Sequence, residues 1–112
     1  MKKYVYFAFK GELMCFSHVL LNALDMNEKG VEAKIVIEGE AVTLIEELIE
    51  SKNSLFKKAM KVGLIDCVCE ACSAKMGVLE YNKKSGIRLS DEMMGHPSMT
   101  RYIEDGYDVI TL

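Results

Sequence analysis

Short apolar runs that do not alternate with polar residues, interleaved with stretches of helical spacing, constrain this chain more than any other feature. Tyr4 to Phe9 is aromatic and β-branched, Ala33 to Ile37 and Leu64 to Val68 repeat the type, Ile87 and Leu89 suggest a shorter fourth run, and Tyr107 to Leu112 closes the chain. Runs of this kind read as strands buried on both faces. Between them, Leu13, Phe16, Leu20 and Leu24 recur at helical steps, as do Val42, Leu44, Ile45, Leu48 and Ile49, and then Leu55, Phe56, Ala59 and Met60. Asn53 or Ser54 can cap the third of these helices, and Gly30 and Gly63 stand where the first and third would stop. Ala71 to Met76 is compatible with a short helix ending at Gly77, and Pro97 to Glu104 with a last one. The order βαβαβαβαβ implies right-handed crossovers and a mainly parallel sheet. The expected fold is an α/β, three-layer α/β/α sandwich with about five strands.

No repeat, low-complexity stretch or Pro/Gly/Ser linker divides the chain, so residues 1–112 read as a single domain. A chain of this size hides about two-thirds of its unfolded surface, enough for one core. The net charge of -3, with Lys and Arg scattered, offers no basic stripe for phosphate backbones, so no nucleic-acid partner is expected. The longest stretch free of Lys, Arg, Asp and Glu runs only from Leu13 to Leu24, short of the roughly 20 residues a spanning helix needs. Tyr4 to Phe9 ends at Lys10 without a small-residue cleavage pattern, unlike a secretory signal. The sequence therefore reads as a cytoplasmic protein with no membrane partner.

Ligands of such sheets bind outside the carboxyl ends of the strands, where helix N-termini converge. Three turns qualify: Lys10-Gly11-Glu12, Glu38-Gly39-Glu40 and the segment from Cys69 to Cys72. Gly11, Glu38 and Gly39 are accordingly candidate substrate-binding residues. No phosphate-binding glycine motif accompanies them, and nucleotide binding is disfavoured. Three of the four cysteines crowd into Cys67-Val68-Cys69-Glu70-Ala71-Cys72, which points to reactive or metal-binding thiols rather than a disulfide staple in a reducing compartment. With a strand ending near Val68, Cys69 lies at the strand-to-helix junction and Cys72 in the first helical turn. Both then face the positive end of a helix dipole, which favours the thiolate that attacks sulfur. Cys69 is expected at the pocket mouth, as the carrying thiol, with Cys72 behind it. Lys75 adds positive charge if the short helix turns it inward.

Cys67 reads as a small buried hydrophobe. Structural zinc ranks below thiol chemistry, because the chain has one CxxC and no second pair to complete four ligands. No metal and no cofactor is assigned. Cys15, His18, Asn22, Asp25 and Lys29 recur opposite the leucine stripe of the first helix and form a polar face. His96 precedes Pro97 in a late loop; it reads first as an exposed loop residue and second as a group reaching a site at the sheet edge. Met14, Val19, Leu21 and Met26, beside the leucine stripe, give the first helix more apolar surface than one sheet face needs, so an oligomer is expected.

Cys69-Glu70-Ala71-Cys72-Ser73-Ala74-Lys75-Met76-Gly77, with the Glu38-Gly39-Glu40 turn and Ser98-Met99 before the last helix, resembles the DsrE/DsrF family, including TusD-type sulfur-relay and YchN-like proteins. The resemblance spans nearly the whole chain. It implies a parallel α/β/α fold in small oligomers and, for the relay members, a persulfide at the position of Cys69. Cys72 matches the second cysteine of YchN-like members but not of TusD-type ones, and Met76 replaces a basic residue. The function implied is that of a small sulfur carrier, possessing sulfurtransferase-type chemistry at Cys69 with Cys72 as resolving or protecting partner. Its partners would be sulfur donor and acceptor proteins, in a homo-oligomer or with a sister subunit. The alternatives are a non-catalytic oligomeric scaffold and a thiol redox or zinc-binding protein.

Overall fold

The computed structural model describes residues 2–112 and has the expected α/β architecture. Strand β1 (Lys3–Ala8) leads through helix α1 (Leu13–Glu28) to β2 (Glu32–Ile37). A 3-10 turn (Gly39–Thr43), α2 (Leu44–Glu50) and α3 (Ser54–Lys61) precede β3 (Ile65–Cys69). Then come α4 (Glu70–Lys75), α5 (Leu79–Lys84), β4 (Leu89–Ser90), α6 (Met99–Glu104) and β5 (Tyr107–Thr111). The five strands form one sheet in the order β4-β3-β2-β1-β5, every pair parallel. Among the described residues no helix is long and apolar enough to cross a membrane.

The strand order decides which face each helix covers. From β1 to β4 the chain steps in one direction, so right-handed crossovers put the intervening helices on one face; β5 returns to the far side of β1 and sends α6 to the other. On the first face Tyr6, Ala8, Ile35, Ile37 and Val68 pack against Phe16, Leu20, Ile45, Leu48 and Phe56. Burying each large apolar side chain of this set contributes roughly 1.5 to 3 kcal/mol. On the second face Val5, Phe7, Val36 and Cys67 meet Tyr102 of α6 and Tyr107 of β5. Successive residues of β1 thus serve opposite cores, and the run does not alternate in polarity because both faces are covered.

Asn53 caps α3 as expected, its Oδ1 accepting the Phe56 N–H at 3.0 Å, and Gly63 follows the helix with φ +79°. The structure departs from the sequence reading in three places. The segment after Glu38 is a 3-10 turn before it becomes α2. The fourth strand is only Leu89–Ser90, while Ile87 is buried just before it. Helix α5 is an additional element, without a signature in the sequence because Leu79-Glu80-Tyr81-Asn82-Lys83-Lys84 has no apolar stripe and its fully buried residue is Asn82.

Candidate functional site

Four chain segments converge at the carboxyl end of β3. β2 delivers Glu38 one residue beyond its last residue, β3 ends on Cys69, α4 carries Cys72, and the loop between β4 and α6 carries His96. Their ligating atoms, one carboxylate oxygen, two sulfurs and one ring nitrogen, all lie within 4.8 Å of one another. His96 Nδ1 is 3.1 Å from Cys69 Sγ, 3.8 Å from Cys72 Sγ and 3.2 Å from Glu38 Oε1.

Local geometry explains each placement. Cys69 has extended backbone and caps α4, its sulfur accepting the Cys72 N–H at 3.3 Å, so the CxxC spacing turns both thiols toward the same point. Behind the cap, Ser73 Oγ donates to the Cys69 carbonyl at 2.7 Å, and Asn82 Nδ2 donates to Ser73 Oγ and to the Val42 carbonyl. Glu38 is almost wholly buried. The turn after it needs Gly39, whose φ is +55° and whose Cβ would lie 2.9 Å from the Phe9 carbonyl oxygen. Gly11 lets the neighbouring loop approach that turn, since a Cβ there would meet Glu40 Cβ at 2.9 Å. Gly11 and Gly39 thus shape the support of Glu38 rather than join the cluster.

His96 is held by a two-residue reversal. Met93 and His96 exchange backbone hydrogen bonds of 2.7 and 2.9 Å around Met94 and Gly95, both with positive φ, as in a type I′ turn. The Gly95 carbonyl accepts the Ala71 N–H at 2.9 Å, which pins the reversal to the first turn of α4 and brings the imidazole over Cys69.

Burial orders the two thiols opposite to expectation. Cys69 is fully buried beneath Gly95 and His96, whereas Cys72, one turn up α4, is partly exposed. The strand end points inward, so Cys72 and not Cys69 stands at the mouth. Burial pushes the Cys69 thiol up to about 12, with the neighbouring Cys72 and Glu38 adding to it and the Cys72 N–H opposing. Burial likewise raises the Glu38 carboxyl, against the attraction of His96.

Lys75 lies exposed in the last turn of α4, outside the cluster. His18 is exposed on α1, and Cys67 is buried on the opposite face with its sulfur 3.4 Å from the Tyr102 hydroxyl. Ser73 and Asn82, which fix the Cys69 carbonyl, had no signal in the sequence beyond being polar residues near the cysteines.

No family model matches the chain. It is 38% identical over 95 residues to the uncharacterized protein MJ0733 of Methanocaldococcus jannaschii, covering 85% of this chain and 78% of that protein. An uncharacterized protein of Archaeoglobus fulgidus is 42% identical over 43 residues, which is 38% of this chain and 70% of that one. Among solved structures, the conserved protein of unknown function BT1422 from Bacteroides thetaiotaomicron superposes with a TM-score of 0.72 at 16% identity, over 98% of this chain and 95% of that one. That likeness is one of fold.

Proposed function

We propose that this chain, which belongs to the same family as the Methanocaldococcus jannaschii protein MJ0733, carries sulfane sulfur on its Cys69 and Cys72 pair. The observation that carries the reading is two free thiols at the carboxyl end of a parallel strand, with one imidazole nitrogen 3.1 and 3.8 Å from their sulfurs. The resemblance of the Cys69 to Gly77 segment to the DsrE/DsrF family supports it.

The partly exposed Cys72 meets the donor. Its thiol gives its proton to His96 Nδ1, and the thiolate attacks the outer sulfur of a donor persulfide, R–S–SH. A bond forms between Cys72 Sγ and that sulfur, the donor S–S bond breaks, and R–S⁻ leaves and takes up the proton. Cys69 then gives its proton to His96 Nδ1, 3.1 Å away, and its thiolate attacks the outer sulfur of the Cys72 persulfide. The Cys72 S–S bond breaks, the Cys72 thiolate leaves and takes up that proton, and the sulfur moves to the buried position, where water and stray thiols reach it less readily. An acceptor thiolate removes it by the same exchange in reverse. One sulfur–sulfur bond is exchanged for another at each step, so no external oxidant or reductant is consumed. The partners are a sulfur donor and a sulfur acceptor, and a reducing compartment such as the cytoplasm keeps the thiols free. Met14 and Leu21, exposed on α1, favour an oligomer, for which light scattering at micromolar concentration should report at least a dimer.

Intact mass after incubation of chelator-treated protein with a small persulfide donor tests the reading. One added sulfur per chain is expected, mapping to Cys69 in the wild type. Cys72→Ser should slow loading markedly, and Cys69→Ser should leave the sulfur on Cys72, where added thiol strips it faster. Absence of added sulfur in the wild type, or equal loading of the Cys69→Ser, Cys72→Ser double variant, overturns the proposal in favour of a scaffold whose thiols are incidental.

A further inference from the structure

One ring nitrogen faces more partners than it can hydrogen-bond at once. His96 Nδ1 faces Cys69 Sγ, Cys72 Sγ and Glu38 Oε1 at once, at 3.1, 3.8 and 3.2 Å. A neutral imidazole nitrogen has either one hydrogen or one lone pair, so it satisfies one of the three partners at a time. Glu38, almost wholly buried, has His96 as its sole ion-pair partner among the described residues. Something that attracts two sulfurs, a nitrogen and a carboxylate together would satisfy all four groups.

We propose that Glu38, Cys69, Cys72 and His96 form a tetrahedral site for one divalent cation of the zinc type. Bonds of about 2.3 Å to sulfur and about 2.0 to 2.2 Å to nitrogen and oxygen place the corners of such a tetrahedron about 3.3 to 3.8 Å apart. The separations found here, 3.1, 3.2 and 3.8 Å with none in the cluster above 4.8 Å, need only small side-chain movements to match. Two soft sulfurs and an imidazole select zinc over magnesium or calcium, which prefer all-oxygen shells. The surroundings are those of a metal site as well. Cys69 Sγ accepts the Cys72 N–H, and the Gly95 carbonyl is tied to the Ala71 N–H, so two of the ligands are oriented by backbone contacts before an ion arrives. The second ligand pair that zinc requires is thus present, drawn from two loops 58 residues apart instead of a second CxxC.

The inference deepens the sulfur-carrier reading in one respect, and there it rests on it: a cation bound to both sulfurs blocks persulfide formation, so zinc would hold the carrier closed.

Cobalt(II) added to chelator-treated protein is the probe. Tetrahedral ligand-field bands with sulfur-to-cobalt charge transfer are expected, saturating at one ion per chain and abolished by equimolar zinc. Glu38→Gln and His96→Ala, checked for folding by circular dichroism, should each weaken zinc binding by about 10-fold or more. Cys69→Ser or Cys72→Ser should diminish the charge-transfer absorption. No charge-transfer band with folded wild-type protein, or zinc affinity indifferent to both Glu38→Gln and His96→Ala, overturns the site. Persulfide loading measured with and without one equivalent of zinc separates the two readings. Loading lost on adding zinc supports the block, and equal loading refutes it. Cobalt binding by a protein that takes no sulfur even when metal-free leaves the site standing and removes the sulfur reading alone.

Discussion

Asn82 donates to Ser73 at 3.0 Å, and Ser73 donates to the carbonyl of Cys69, so a buried amide on α5 fixes the backbone of Cys69. Asn82 also donates to the Val42 carbonyl at 3.1 Å, tying the 3-10 turn that follows Glu38 to the same point. Asn82→Ala removes both donations to buried acceptors. Stability should fall by about 1 to 3 kcal/mol, read as a lower urea midpoint at unchanged slope. An unchanged midpoint would show that the network is not holding the site.

The reversal that presents His96 uses an ideal residue at one position and a poor one at the other. Gly95 has φ +90°, and a Cβ there would come within 3.0 Å of Ala71 Cβ, so Gly95→Ala should destabilise the protein by about 1 to 3 kcal/mol in thermal unfolding and lift His96 away from Cys69. Met94, almost fully exposed, adopts φ +50° without the tolerance of glycine or asparagine. Met94→Asn should therefore raise stability, by up to about 1 kcal/mol. A loss on Met94→Asn would mean that the methionine makes contacts worth more than its backbone strain.

Asp66 governs an acid-sensitive contribution on the opposite side of the sheet. Burial alone would raise its carboxyl, but the Tyr102 hydroxyl, Lys34, Arg88 and Arg101 outweigh burial and hold it below its ordinary 3.8. The unfolded chain therefore takes up this proton first as pH falls. The stabilisation is complete above the ordinary value and is lost as pH drops through the lower folded one. Asp66→Asn should cost about 1 to 2 kcal/mol at pH 7, its cations being partly exposed, and the gap to wild type should narrow below about pH 4 in urea unfolding. A gap independent of pH would remove the carboxylate from this account.

The thiols should label in the order of their exposure. In chelator-treated protein a small alkylating agent should reach the partly exposed Cys72 before Cys69, and Cys67 should resist until the protein unfolds. Peptide mapping over time reads the order. Cys69 reacting first would mean that the Gly95 and His96 turn opens readily in solution.

The alternation of elements was legible in the sequence by itself. Each strand buried on both faces leaves an unbroken apolar run, and each helix packed on one side leaves a stripe at its own period. The junction of Cys69 and Cys72 with a helix start followed from the same local rules, as did the candidacy of Glu38 in a turn at the end of a strand. The tertiary structure alone decided that Glu38 and His96 meet. That meeting depends on β2, β3 and β4 lying side by side and on the Gly95 carbonyl finding the Ala71 N–H, contacts between segments far apart in the chain. It also decided which thiol faces outward, because the CxxC spacing sets the angle between Cys69 and Cys72 but not which of them the His96 loop covers. Helix α5 leaves no mark in the sequence for a related reason: its fully buried residue is the hydrogen-bonded Asn82, and a polar core residue leaves no hydrophobic period to read.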